Sequence, residues 1–342
     1  MSDLYKIRGS YLIHTGENKS NIAGNIENSS HCNQLFYTQD NKLVATFVTC
    51  GAWSAGGSLG TARGYLAGAG ASNTAALAFG GVGSDIYPDP VTCTESYNGS
   101  TWTAGGSMAT ARKNLAGVGT NTAALAFGGN ICGYSIETVT CTESYNGTSW
   151  TAGGAMATAR YGLAGAGTNT AALAFGGNVL VDCVTCTESY NGTSWTAGGS
   201  MATAIQNLAG AGTNTAALAF GGSTCSYPTN AVTCTDSYNG TSWTAGGAMA
   251  TARFGLAGAG ASNTAALAFG GNTCIYPTNT VTCTESYNGT SWTASGAMIF
   301  CLKNLDGAGT NTAALAFGGA HNIVPYTNVT MSYDLIKLNI IN

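Results

Sequence analysis

Six tryptophans, Trp53, Trp102, Trp150, Trp195, Trp243 and Trp292, mark the chain off in steps of 49, 48, 45, 48 and 49 residues. A period this strict constrains the fold strongly, because each unit must fold alike and bury its apolar face against its neighbours. Every unit carries the same segments in the same order. A small-residue stretch such as "LAGAGTN" runs into "TAALAFGG"; a variable loop follows, and then come "VTCTESYNG" and "SWTAGG". Period-2 alternation with turn residues between segments predicts four short antiparallel strands per unit, labelled a, b, c and d. Asn98-Gly99, Asn146-Gly147, Asn191-Gly192, Asn239-Gly240 and Asn288-Gly289 fall between c and d. Both residue types tolerate the positive φ of a tight hairpin turn.

The strand count points to an architecture. Strand b ends six times, at Phe79, Phe127, Phe175, Phe220, Phe269 and Phe317, and the Tyr of strand c also occurs six times, at Tyr97, Tyr145, Tyr190, Tyr238, Tyr287 and Tyr333. Trp53 precedes any a segment, whereas the last c segment, "NVTMSYD", has no Trp behind it. The strand around Trp53 is therefore expected to supply the missing d strand of the last unit. The expected fold is all-β: a six-bladed β-propeller of four-stranded blades, closed by this N-terminal strand so that no sheet edge stays open. Gly and Ala of "LAGAG" suit the crowded axis, and aromatic residues suit the widening gaps between blades. A β-solenoid competes, but its coils are usually shorter and it has no need of an offset first strand. Residues 49–342 form the propeller in this reading. Residues 1–48, with a hairpin around Asp40-Asn41, form an attachment segment toward a larger assembly.

Only 8% of the 342 residues are charged and the formal net charge is −4, so the chain lacks an electrostatic footprint for phosphate backbones. Nucleic acid is not expected as a partner. No apolar run has the length of a membrane span, and the first residues lack the apolar core of a secretory signal. Twelve cysteines are many for a cytosolic protein. Three pairs recur nine residues apart, Cys132 with Cys141, Cys225 with Cys234 and Cys274 with Cys283. Each could close a disulfide worth ~2.5–3 kcal/mol, or remain as buried free thiols. The spacing matches no zinc pattern and the histidines are His14, His31 and His321, so neither metal nor cofactor is expected.

The copies are not identical, and their differences are patterned. Arg63, Arg112, Arg160 and Arg253 stand at the start of strand a in units one, two, three and five, against Ile205 and Leu302 in units four and six. The acid of strand c follows them: Glu95, Glu143, Glu188 and Glu285 in the first group, Asp236 and Met331 in the second. Such joint change points to a partly buried ion pair within each unit, a structural role. Variation is otherwise confined to one side of the disc. The a–b and c–d turns are nearly invariant, whereas on the opposite face the b–c loops differ in every unit and the d–a loops read "GY", "KN", "YG", "QN", "FG" and "KN". These loops place Tyr87, Tyr134, Tyr227, Tyr276 and Tyr326 on a rim around Tyr65, Lys113, Tyr161, Gln206, Phe254 and Lys303. Aromatic faces beside Asn, Asp and Lys suit sugar rings or a protein partner with Tyr anchors. Unconstrained drift of the loops is the alternative.

Gly-Gly at the end of strand b, then a Tyr, then a Trp, resembles the kelch type of β-propeller, also found in the central domain of galactose oxidase. "TARYGLAGAGTNTAALAFGG" with "YNGTSWTAGG" is more closely similar to repeat arrays of marine bacteriophage tail-fibre and structural proteins. That resemblance covers about residues 49–342. It implies a virion or cell-surface component that binds a glycan or surface protein and meets other assembly proteins through its N-terminal segment. "SYNGTSW" is also similar to the Asp-box of sialidases, with one residue fewer before the Gly. A sialidase needs a free arginine cluster, and the repeat-wise pairing accounts for these arginines, so no catalytic residues are assigned. The hairpin turns account for five Asn-Gly-Ser/Thr sequons, which, like Asn18, Asn28 and Asn328, are expected to be mostly unmodified. The expected function is non-catalytic recognition, with a purely structural scaffold as the alternative and a glycosidase third.

Overall fold

A computed structural model of the chain describes residues 51–83, 89–131, 137–180, 182–225, 230–273, 279–322 and 326–335, together with the backbone of strands in the terminal segments. Six four-stranded antiparallel sheets repeat one plan. In blade 1 strands a to d are Ala67–Ser72, Ala75–Phe79, Thr94–Tyr97 and Trp102–Ala104. Blades 2 to 5 repeat it over residues 116–152, 164–197, 209–245 and 257–294. Blade 6 joins the two ends of the chain: Asp306–Gly309, Ala313–Phe317 and Thr330–Leu338 are completed by Val48–Ala55, which contains Trp53. The protein is thus an all-β, six-bladed β-propeller.

Strand a of each blade packs against strand a of the next, and blade 6 packs against blade 1, so the ring is closed. Between blades the aromatic residues do the packing. Trp195 Nε1 donates to Thr142 Oγ1 of the preceding blade at 2.9 Å, and its ring meets Phe127 and Tyr190 at 5.0 Å each. Trp53 makes the same set: 3.0 Å to Thr284, 5.0 Å to Phe269 and 5.2 Å to Tyr333. Trp102 in turn donates to Thr330, which carries the pattern across the seam.

A second ring of contacts is made by the backbone. The "AFGG" glycines adopt positive φ, 65° and 92° at Gly80 and Gly81, and a Cβ at Gly80 would fall 2.7 Å from the Arg112 carbonyl oxygen, so both the conformation and the space call for glycine. This close approach lets Gly81 N–H donate to that oxygen at 2.8 Å, and Gly319 N–H likewise donates to Arg63 at 2.9 Å. Ile205 and Leu302 accept the same bond, so it does not depend on the arginine side chain.

The arginines lie four residues before strand a rather than at its start, where their fully buried side chains reach strand c of their own blade. Guanidinium and carboxylate are 3.1 Å apart in Arg63–Glu95, 2.9 Å in Arg112–Glu143, 3.1 Å in Arg160–Glu188 and 2.8 Å in Arg253–Glu285. The other glutamate oxygen accepts a backbone N–H of the d–a loop, as from Ala157 to Glu188 at 2.7 Å. Burial pulls each guanidinium pKa down and the facing carboxylate opposes it. Blade 6 fills this space with Leu302 and Met331, both buried. Blade 4 keeps a buried Asp236 without an arginine, and desolvation raises its pKa.

The expected disulfides are corrected. Cys225 bonds to Cys183 of the neighbouring blade, with 5.4 Å between Cα atoms, and not to Cys234. Cys141, Cys234 and Cys283 are free thiols, which also excludes their pairing with Cys132 and Cys274. The reason is geometric. These free cysteines lead into strand c, where each carbonyl accepts from the first glycine of its blade's Gly-Gly and those of Cys141 and Cys283 also from an arginine, whereas Cys183 and Cys225 lie where the b–c loops of blades 3 and 4 meet.

The N-terminal segment and the chain end, Met1–Ala52 with Asp334–Asn342, form a compact unit separate from Trp53–Tyr333. Its strands Leu4–Arg8, Tyr11–His14 and Leu35–Thr38 make a three-stranded antiparallel sheet with Leu4–Arg8 in the middle. Asp40-Asn41, the expected hairpin tip, lies outside the described residues; Leu35–Thr38 pairs with Leu4–Arg8.

Candidate functional site

The d–a loops converge on the axis, and their geometry follows from two consecutive residues in each blade. The second of these is Tyr65, Asn114, Gly162, Asn207, Gly255 and Asn304, all at φ between 52° and 60°. Glycine and asparagine are the residues that take this left-handed conformation most readily, and Tyr65 is the exception. The conformation aims each amide along the ring. Tyr65 N–H donates to Asn304 O at 2.9 Å, Asn114 to Tyr65 at 2.9 Å and Gly162 to Asn114 at 2.9 Å. Asn207 donates to Gly162 at 2.7 Å, Gly255 to Asn207 at 2.8 Å and Asn304 to Gly255 at 2.7 Å. Six amides therefore form an unbroken belt around the central channel.

The belt frames a mouth of about 140 Å³, whose deeper wall is made by residues at the start of strand a in all six blades. A smaller space of about 100 Å³ at the other end is lined by Gly and small apolar residues. Of these two spaces, the mouth is the one lined by polar side chains. It includes Asp306, which replaces the Ala found at this position in the other five blades. Its carboxylate accepts from Gly68 N–H at 2.6 Å and Gly307 N–H at 2.8 Å, yet burial pushes its pKa up to about 7. The break from "LAGAG" to "LDGAG" is the sequence signal for this residue, which the repeat reading passed over.

The expected inner ring divides in two. Tyr65 belongs to the belt, at the mouth, while Lys113, Tyr161, Gln206, Phe254 and Lys303 occupy the first loop position, one residue earlier. Their backbones bridge to Asn130, Asn178, Ser223, Asn272 and Ala320 of their own b–c loops, and all five side chains are half-buried. Burial raises the Tyr65 and Tyr161 pKa and lowers that of Lys303. Of the rim tyrosines, Tyr326 packs edge-on against Tyr65 with centroids 6.4 Å apart. Tyr87, Tyr134, Tyr227 and Tyr276 lie outside the described residues.

The opposite face is uniform. In each of five c–d turns an exposed asparagine accepts backbone and hydroxyl bonds from the next Ser or Thr residues, as Asn146 Oδ1 does from Thr148 N–H at 3.0 Å and Oγ1 at 2.9 Å. The side-chain oxygen is committed to its own turn.

No family model and no curated protein matches the sequence. Among solved structures the chain is similar to YjhT, with a TM-score of 0.67 and 12% identity, over 84% of this chain and 100% of that chain. At this identity the likeness concerns the fold.

Proposed function

We propose that the propeller is a non-catalytic recognition module, kelch-like in its repeat, that binds a glycan or a surface protein through the face carrying the b–c and d–a loops. The observation that carries this reading is the segregation of variation: aromatic, amide and lysine side chains surround the channel mouth, while the other face repeats one self-satisfied turn. All four arginines of the propeller are buried in ion pairs, so neutral sugars or a protein suit the face better than acidic sugars. This also speaks against sialidase chemistry, for which a free arginine cluster would be needed. The Cys183–Cys225 bond favours an oxidising setting, in keeping with a tail fibre or other exposed assembly attached through the N-terminal segment. A purely structural propeller is the second reading, favoured by the uniformity of the c–d face.

A glycan array probed with the full chain tests the proposal. Tyr161→Ala and Phe254→Ala should each weaken binding about tenfold, and Thr148→Ala on the other face should not. Absence of binding to glycans and to host surface proteins, or equal losses from both faces, would favour the scaffold. Turnover of a fluorogenic sialoside would contradict a non-catalytic role.

A further inference from the structure

Blade 6 departs from the repeat at a cluster of positions on the loop face. Where the other units read "MATA" or "SLGTA" before strand a, this one reads "MIFC", ending at Cys301. After its Gly-Gly it carries Ala320 and then His321, where the other units have Gly83, Ile131, Val179, Thr224 and Thr273. The two unusual residues meet: Cys301 Sγ lies 3.0 Å from His321 Nε2. Both are partly accessible, and beside them Ile299 and Phe300 are 48% and 44% exposed, two of the three large apolar side chains so exposed among the described residues. The five other free cysteines of the described residues precede strand c.

We propose that Cys301 and His321 form a reactive thiol site, at which the chain undergoes exchange with a solvent-exposed disulfide of a partner and becomes covalently joined to it. With the ring proton on Nδ1, Nε2 accepts the Cys301 proton as sulfur attacks. A bond forms between Cys301 Sγ and one partner sulfur, the partner's S–S bond breaks, and the departing sulfur takes the proton from His321. Cys301 is oxidised to the mixed disulfide and the departing cysteine is reduced, so the exchange needs no further oxidant. A thiolate is the attacking species, so a base within hydrogen-bond reach raises the rate. Ile299 and Phe300 give the site an apolar flank suited to a protein surface.

The test measures exchange of the native full chain with dithiodipyridine, a neutral aromatic disulfide, with the modified cysteines assigned by peptide mass spectrometry. Cys301 should react at least about tenfold faster than each of Cys93, Cys141, Cys186, Cys234 and Cys283, and His321→Gln should remove about tenfold of that rate while leaving the others unchanged. A Cys301 rate no higher than theirs, or one that His321→Gln leaves unaltered, overturns the proposal. Should His321→Gln fail to fold, the ranking of thiols in the unmodified protein decides by itself. Oxidised glutathione offered beside a protein disulfide tells the two kinds of partner apart: a preference for the small disulfide overturns the covalent joining to a protein.

Discussion

Blades 3 and 6 have the same four strands and the same inter-blade contacts, but they reach them with different chemistry. Blade 3 is continuous in sequence and holds its d–a loop with Arg160 and Glu188. Blade 6 is assembled from both ends of the chain and puts Leu302 and Met331 in the same space. Common to both are the tryptophan, its threonine acceptor, the Gly-Gly bond to the next blade and the amide belt. The comparison shows that the repeat is held by backbone and aromatic geometry. The ion pair is one replaceable way of filling a pocket. Blade 6 also carries Asp306, Cys301 and His321, so the chemically distinct residues gather in the unit least bound by the repeat.

The largest effect should come from breaking the ion pair on one side only. Glu188→Ala leaves Arg160 buried and unpaired, at a cost of about 3–5 kcal/mol in denaturant unfolding. Installing blade 6's solution, Arg160→Leu with Glu188→Met, should recover most of that loss; a double variant as weak as the single one would mean that blade 3 cannot tolerate blade 6's packing. Asp306 offers the next effect. The folded chain keeps its proton up to about pH 7, whereas the unfolded chain releases it near 3.8. The folded state binds more protons between these values, so this group's contribution is full below the lower one and is lost as pH rises through the upper. Stability should fall between pH 4 and pH 8 by up to about 4 kcal/mol on this account, and Asp306→Ala, the residue of the other blades, should flatten the profile.

Reduction of Cys183–Cys225, which closes a 42-residue separation, should lower stability by about 2–4 kcal/mol, with little change in blades 1, 2, 5 and 6 by hydrogen exchange. The smallest effect concerns blade 4, where half the replacement has been made: Ile205 stands in for arginine, but Asp236 remains buried. Asp236→Met should stabilise the protein by about 1–2 kcal/mol at neutral pH, and a loss would mean that this acid has a role unrelated to the missing arginine.

Much of the architecture was legible in the sequence because the period, the offset Trp53 and the six Tyr and Phe positions each reflect packing between neighbouring blades. Joint change of arginine and glutamate was legible for the same reason, since buried partners constrain each other. The amide belt was not, because it is written in backbone conformation; only the recurrence of Gly and Asn at one loop position hints at it. The true disulfide escaped because positions 42 residues apart in the chain converge in space, so that Cys225 meets Cys183 of the neighbouring blade and Cys234 of its own blade stays a free thiol. Asp306 was visible as one changed letter, but its meaning depends on the small channel that surrounds it.

The equivalence of the seam to an ordinary blade junction can be measured by unfolding Trp53→Ala and Trp195→Ala side by side. Each tryptophan is nearly buried, donates one hydrogen bond to the preceding blade and packs on one Phe and one Tyr. Matching losses of about 3–5 kcal/mol are expected. A loss of that size for Trp195→Ala with under about 1 kcal/mol for Trp53→Ala would mean that the chain's two ends do not close the ring.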